Sequence, residues 1–527
     1  MSKEKIISGK TYLGIELGST RIKACLIDEE YAVIASGGYE WENKYENGYW
    51  TYSLDEIHSG IKGCFSDLCA NIEKGYGVAF IKTKAIGISG MMHGFLAFDK
   101  DGKLLTPFRT WRNTTTSKAA TKLSGLFNFN VPQRWSISHL YQAILNDEPY
   151  INDIAHITTL AGYIHYLLTG KRELGVGEAS GMFPITDNDY DKDMLNKFKA
   201  LIKDKNFSWD IEEILPKVEV AGNCGTVLTK DGANFLDERG LLESGIPMCP
   251  PEGDAGTGMV ATNAVLERTG NVSAGTSIFG MLVLEKPLKN VYEEIDVVTT
   301  PAGSPVAMVH CNNCCGELDA IVKLFGEFAE IAGMKMDKST LYGLLYKNTL
   351  NGDADCGGIT AYNYLSGEHI TGIEKGSPMY FRTATGNMNL ANFMKAELYS
   401  AMATLKIGME ILLDKENAKA DKFLGHGGLF KVKGVAQQIL SNALNTKVSV
   451  METASEGGAW GMALLAAYMI NKKDESLGIW LENNVFSGMA TEIAEPDENG
   501  VKGFNEYIKR YKAGLSAEKE LEKVHGI

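Results

Sequence analysis

Glu16 stands at the mouth of a small-residue turn in the segment "TYLGIELGSTRIKACLID", residues 11–28. Leu13, Ile15 and Leu17 alternate with other side chains, Gly18-Ser19-Thr20 interrupts, and Ile22, Ala24 and Leu26 alternate again. The pattern reads as two strands folded about a turn. Backbone N–H groups and Ser/Thr hydroxyls in such a turn can point at phosphate oxygens, and glycine allows close approach. A carboxylate beside them can hold a cation, directly or through water. A plain hydrogen-bonded hairpin has the same composition, so the turn alone leaves both readings open.

"GNVSAGTSIFGMLVLE", residues 270–285, repeats that shape with a Gly-Thr-Ser turn. The echo suggests two related domains that each contribute a similar turn. In "GDAGTGMVATN", Asp254 precedes a helix start rich in Gly, Ala and Thr. It is either an N-cap or a carboxylate beside a phosphate-attracting helix N-terminus, placed to take a proton from a hydroxyl. His93, in "GISGMMHGFLAFDKDGK", follows an apolar strand and is either a satisfied core histidine or a hydrogen-bonding partner for a polar substrate.

Three other signatures carry less. "SGKT" (Ser8 to Thr11) lacks the first glycine of a phosphate-binding loop and reads as N-terminal coil. "GTGMVA" (Gly256 to Ala261) follows Pro250-Pro251-Glu252-Gly253 instead of a strand, which removes its dinucleotide meaning. "HCNNCC" (His310 to Cys315) contains C-x-x-C, yet the next cysteine, Cys356, stands alone, so the segment reads as a strand-to-helix junction. The nine scattered cysteines read as reduced, mostly buried thiols.

The elements that must position these groups alternate. Strand-like runs ("YLGIEL", "IKACLI", "AVIASGGY", "KAIGISG", "GFLAFD") alternate with helical segments such as "SLDEIHSGIKGCFSDLCANIEKGYG", begun by Ser53. "GIPMCPPEGDAGTGMVATNAVLERTG" reads as a domain junction, irregular at first and then helical to Gly270. Residues 422–469 read strand, Gly-rich turn, helix, strand, loop and buried helix, and the chain beyond about 475 reads as a polar, peripheral helical tail. At 527 residues and 44% hydrophobic, the chain exceeds one core. A net charge of −14 without a Lys/Arg-rich run argues against nucleic acid or an anionic membrane as partner. The absence of a signal-like or membrane-spanning apolar run gives the expectation of a soluble cytoplasmic protein.

The ordered set "GIELGST", "GMMHG", "RTWRN", "GEASGM", "GDAGTG", "SAGTS", "YLSGEH", "GHGGLF" and "EGGAWGMALLAA", running from residue 14 to about 466, resembles the FGGY family of carbohydrate kinases. The resemblance implies an α/β fold of two ribonuclease-H-like domains, as in actin, hexokinase and Hsp70, around a central cleft. It places an N-terminal domain at 1–258, with the sugar site and first phosphate loop, and an ATP-binding C-terminal domain with its tail at 259–527. It implies that Gly18, Ser19, Thr20, Gly275 and Thr276 meet the ATP phosphates, that Gly427 and Gly428 flank adenosine, and that Glu16 serves Mg²⁺. Asp254 would be the general base, and Met92, His93, Trp111, Glu178 and Asp254 would line the sugar pocket.

"GMMHG", "GEASGM" and "YLSGEH" are most similar to the xylulokinase subgroup, which implies a ketopentose such as D-xylulose phosphorylated to the 5-phosphate. L-ribulose, another ketose, a polyol or glycerol are the alternatives, and a non-catalytic sugar- or nucleotide-binding relative is a third. A homodimer is the assembly to test for. Glu16 for Asp, Met91 for Gln, Asn113 for Asp and His369 for Arg depart from the family pattern, and altered polar groups near a pocket shift substrate preference.

Overall fold

The computed structural model describes residues 2–450, 457–489 and 492–524. The chain forms two compact units, one from Met1–Leu266, Val297–Val306 and Ser455–Gly488, the other from Glu267–Asp296, Ala307–Ala454 and Met489–Ile527. A single boundary after residue 258 divides the chain only once; here two later segments pack back into the first unit.

In the first unit the alternating run becomes β1 (Thr11–Leu17) and β2 (Arg21–Asp28), antiparallel with Leu17 opposite Ile22. β3 (Val33–Glu40), β4 (Ala85–Gly90), β5 (Thr226–Val227) and β6 (Pro247–Met248) complete the order β5-β6-β4-β1-β2-β3, and β7 (Glu252–Gly253) also pairs with β4. β4 runs parallel to β1, β6 and β7. Helices cover both faces, as a mostly apolar sheet requires. Helix Leu54–Tyr76 buries Ile57, Ile61, Cys64, Phe65, Leu68 and Ile72 on one face. Its start is a capping box between Ser53 and Glu56, and Gly77 ends it in the left-handed region. Helix Gly457–Asn471 packs on the other face, against Gly14 and Gly87.

The second unit repeats the plan. β8 (Thr269–Ala274) and β9 (Ile278–Val283) form an antiparallel hairpin, followed by β10 (Pro305–Cys311), β11 (Lys422–His426), β12 (Lys447–Val450) and β13 (Glu492–Ala494). Their order is β10-β9-β8-β11-β12-β13, with β11 parallel to both β8 and β12. The runs β3-β2-β1-β4-β6 and β10-β9-β8-β11-β12 therefore match strand for strand, so the echo of the two turns extends to whole sheets.

Some local expectations differ. "SGKT" is not coil throughout, because Ser2–Ser8 form a short helix that buries Ile6, and Thr11 opens β1. Glu252 and Gly253 form the brief strand β7, so the segment before Asp254 is not irregular to its end. The next helix stops at Ala261, not near Gly270, with Asn263 at positive φ just beyond it. Tail helix Glu498–Leu521 is not merely peripheral: Phe504, Tyr507, Ile508 and Tyr511 are buried at helical spacing. The loop expected at 451–456, including Glu456 of the last motif, lies outside the described residues. Among the described residues no helix is long and apolar enough to cross a membrane.

Candidate active site

The carboxyl ends of three neighbouring strands meet in the first unit. Glu16 of β1 is in register with Ser89 of β4, as is Glu252 of β7, and Leu17 and Gly253 both face Gly90. Parallel strands aligned in this way deliver their following residues to one edge, where open α/β sheets bind ligands. After β4, the Met91 N–H donates to the Leu17 carbonyl at 2.9 Å, and the Met92 N–H donates to Asp254 Oδ1 at 3.1 Å. Asp254 is the first residue of helix Asp254–Ala261, and the N-cap is Gly253. Its carboxylate is thus held across the sheet edge by another strand's backbone, a constraint an N-cap does not need.

Burial raises the Asp254 pKa above the ordinary aspartate range, while N–H bonds from Met92 and Ala255 pull it back. Glu16 is pushed up to about 7 by burial and then by repulsion from Asp254, with Lys23, its cross-strand partner, opposing. The Glu16 carboxylate lies where a side chain at 458 would stand: a Cβ on Gly458 would come within 2.5 Å of Glu16 Oε1 and 2.8 Å of Thr257 Oγ1.

Two further acids back this edge. Glu178 is fully buried, and among the described residues neither carboxylate oxygen has a hydrogen-bond partner of good geometry. Burial raises its pKa well above normal, and Asp254 and Glu252 add to the rise. Glu252, 1% exposed, accepts the Glu178 N–H at 2.9 Å and sits against Gly175 and Gly177, with burial raising it to about 8.

The remaining expected sugar-site residues belong to the same unit. His93, in a left-handed conformation, places Nδ1 3.2 Å from the Gly181 carbonyl, and burial beside Arg134 lowers its pKa to about 3. It is therefore a neutral imidazole. Trp111 is 38% exposed and donates Nε1–H to Ser19 Oγ at 3.0 Å. Two departures from the family pattern face inward: Met91 is buried in the first unit's core, and the Asn113 amide makes three bonds to the Trp50 and Thr110 backbone.

Both small-residue turns share one device. In the first, the Gly18, Ser19 and Thr20 carbonyls accept hydrogen bonds from Trp41 Nε1, Tyr52 Oη and the Trp41 N–H. In the second unit, the Gly275, Thr276 and Ser277 carbonyls accept from the Cys315, Cys314 and Gly275 N–H groups. With all three carbonyls committed, each turn presents N–H groups and hydroxyls, the polarity an anion requires. Gly427, at φ +105, lies so close to β8 that a Cβ there would come within 2.3 Å of the Ala274 carbonyl. The Gly427-Gly428 pair thus sits beside the second turn.

Sequence reading missed Glu252 and Gly458. The signal for Glu252 was a second acid two residues before Asp254 in the same Pro-Gly-rich segment. Gly458 carried no local signal, because its role is to leave room for a residue more than 400 positions away.

Residues 11–236 match the N-terminal domain model of the FGGY family of carbohydrate kinases, and residues 270–470 match its C-terminal domain model. The chain is 22% identical over 477 residues to a xylulose kinase of Haemophilus influenzae, covering 85% of this chain and 89% of that one. It is also 22% identical over 524 residues to a glycerol kinase of Thermococcus kodakarensis, covering 95% and 97%. The solved structure of a xylulose kinase from Rhodospirillum rubrum superposes with a TM-score of 0.78 at 14% identity, over 98% of this chain and all of that one. Two domain models that together account for most of the chain, the duplicated sheet plan and the carbonyl-committed turns converge on one conclusion: this chain belongs to the FGGY family of carbohydrate kinases and is a phosphotransferase.

Proposed function

We propose that the chain transfers the γ-phosphoryl group of ATP to the terminal hydroxyl of a ketopentose such as D-xylulose, giving the 5-phosphate. The observation that carries this reading is Asp254, fixed by the Met92 N–H where three strand ends meet and next to the partly buried Glu16. As general base, Asp254 accepts the proton of the attacking hydroxyl. The two backbone bonds favour its ionised form against the burial that raises its pKa. N–H groups and hydroxyls of Ser19, Thr20 and Thr276 receive phosphate oxygens; Gly18 and Gly275, whose own N–H groups close the turns onto the Arg21 and Ser277 carbonyls, let the phosphates approach the backbone, and Gly427-Gly428 flanks adenosine.

Glu16 and Asp254 fit a hard divalent cation: they are oxygen donors, and their mutual repulsion is the kind of strain a cation relieves. Among the described residues no cluster of three or more candidate metal-binding side chains occurs. Water and phosphate oxygens would therefore complete the shell, as Mg²⁺ commonly accepts. When bound, Mg²⁺ supplies neutralisation of charge on the transferring phosphoryl group. Met92 and the neutral His93 line the sugar side, with Trp111 at the first turn and Glu178 behind Asp254.

Glycerol or another polyol is the second reading, favoured by the wider span of the glycerol kinase match. A screen of about 30 ketoses and polyols for ADP release separates the two. D-Xylulose or a close ketopentose is expected to give the highest kcat/KM. A polyol preference of more than about tenfold would replace the first reading with the second.

A further inference from the structure

We infer that Cys314 and Cys315 form a redox-sensitive vicinal dithiol whose oxidation by a hydroperoxide releases the second turn from its carbonyl clamp. The two Sγ atoms are already 3.6 Å apart. Cys314 is 1% exposed, whereas Cys315 keeps partial access to solvent at the first turn of the 17-residue helix Cys315–Ile331. That asymmetry supplies an attacking thiol and a sheltered resolving thiol. The hydrogen bond from Cys314 favours the Cys315 thiolate, while burial and Asp319 oppose it.

The same two residues hold the turn through their backbone. The Cys314 N–H donates to the Thr276 carbonyl and the Cys315 N–H to the Gly275 carbonyl, both at 3.0 Å. The segment is anchored behind by Asn363 Nδ2 on the Cys314 carbonyl, and by the Glu368 carboxylate on the N–H groups of Asn312 and Asn313. A change at the 314–315 peptide therefore passes to the turn in front of it.

The chemistry closes without further reagents. The Cys315 thiolate attacks one peroxide oxygen, the O–O bond breaks, and Cys315 becomes a sulfenic acid with release of hydroxide or alkoxide. The Cys314 sulfur then attacks the Cys315 sulfur and the S–O bond breaks. A disulfide forms, and the Cys314 proton leaves with the hydroxyl as water. The sulfur pair loses two electrons and the peroxide gains them. Closing adjacent cysteines into an eight-membered ring twists the peptide between them. The Cys315 N–H belongs to that peptide and turns with it, so the Gly275 carbonyl loses its donor. A strained disulfide of this kind is readily reduced, so the change is reversible.

The disulfide and the loosened turn stand independently of function; only the effect on ATP rests on reading Gly275 and Thr276 as phosphate-binding. The test treats the full chain with hydrogen peroxide, then maps the peptides by mass and follows hydrogen exchange at residues 275–277. Exposed Cys224 serves as internal control for oxidant delivery. The expected result is a Cys314–Cys315 peptide lighter by two hydrogens, at least about tenfold faster exchange at 275–277 and a matching rise in the ATP KM. All three should revert with dithiothreitol and be absent when the oxidised and reduced forms of Cys315→Ser are compared. Oxidation of Cys224 with the pair left reduced would overturn the inference, as would a disulfide that leaves exchange unchanged. Faster exchange with an unchanged ATP KM would uphold the inference and remove the second turn from the ATP site.

Discussion

Glu16 reaches one methylene further than the aspartate of its family, and Gly458 leaves the space for that reach. Gly458→Ala and Glu16→Gln should therefore have the same consequence by different routes, one displacing the carboxylate and one neutralising it. Each is expected to raise the Mg²⁺ concentration for half-maximal activity by about tenfold or more. An unchanged Mg²⁺ titration in Glu16→Gln would remove Glu16 from the cation site. The pH profile carries a related expectation. In the proposed mechanism Glu16 and Asp254 both act ionised, so kcat/KM should climb with pH across a limb set by Glu16, pushed up to about 7, and by Asp254, raised above its usual range. A cation competes with the proton, so added Mg²⁺ should move that limb to lower pH. His93, held neutral with its pKa lowered to about 3, contributes nothing to it. A limb that ignores Mg²⁺ would place cation and carboxylates apart.

Two helices carry element-scale expectations. Helix Gly457–Asn471 crosses helix Asp254–Ala261 so tightly that a Cβ on Gly461 would lie 2.0 Å from the Thr257 carbonyl. Gly461→Ala should cost at least about 1–3 kcal/mol in denaturant unfolding, because backbone cannot yield as a flexible side chain does. In the tail helix, the Tyr507 hydroxyl is 3.0 Å from the Ala361 carbonyl and 3.1 Å from that of Ala396. Tyr507→Phe is expected to cost about 1–3 kcal/mol by leaving buried carbonyls underserved. Legibility in sequence differed between elements for a physical reason. Helix Leu54–Tyr76 has a capping box, a continuous apolar stripe and a left-handed stop, all local. β7 has two residues and exists because β4 offers it a free edge, information stored in residues 89 and 90. The tail helix looked peripheral because its charged residues outnumber the four aromatic and aliphatic positions that decide its burial.

Across the whole molecule, buried carboxyls outside the site tie stability to pH. Glu397, 3% exposed in the second unit, is raised to about 8 by burial and by Glu317. A raised carboxyl contributes its full stability below the unfolded value of about 4.3, and loses it as pH rises through the folded value. Glu397→Gln should therefore gain on the parent between about pH 5 and pH 8.5 in denaturant midpoint; a constant difference would show that Glu397 is ionised in the fold. At this scale the ordered motifs and paired turns made the kinase family and the duplicated architecture legible. The return of Ser455–Gly488 to the first unit was not, because chain order does not record which sheet a late helix covers. The central claim is that Asp254, fixed at three strand ends, is the base. The most direct measurement is single-turnover phosphoryl transfer by Asp254→Asn, with ATP and sugar affinities measured alongside. A loss of about 10²–10⁴-fold in the transfer rate, with both affinities within about threefold of the parent, is the expected result; a transfer rate within about threefold of the parent would contradict the role of Asp254 as base.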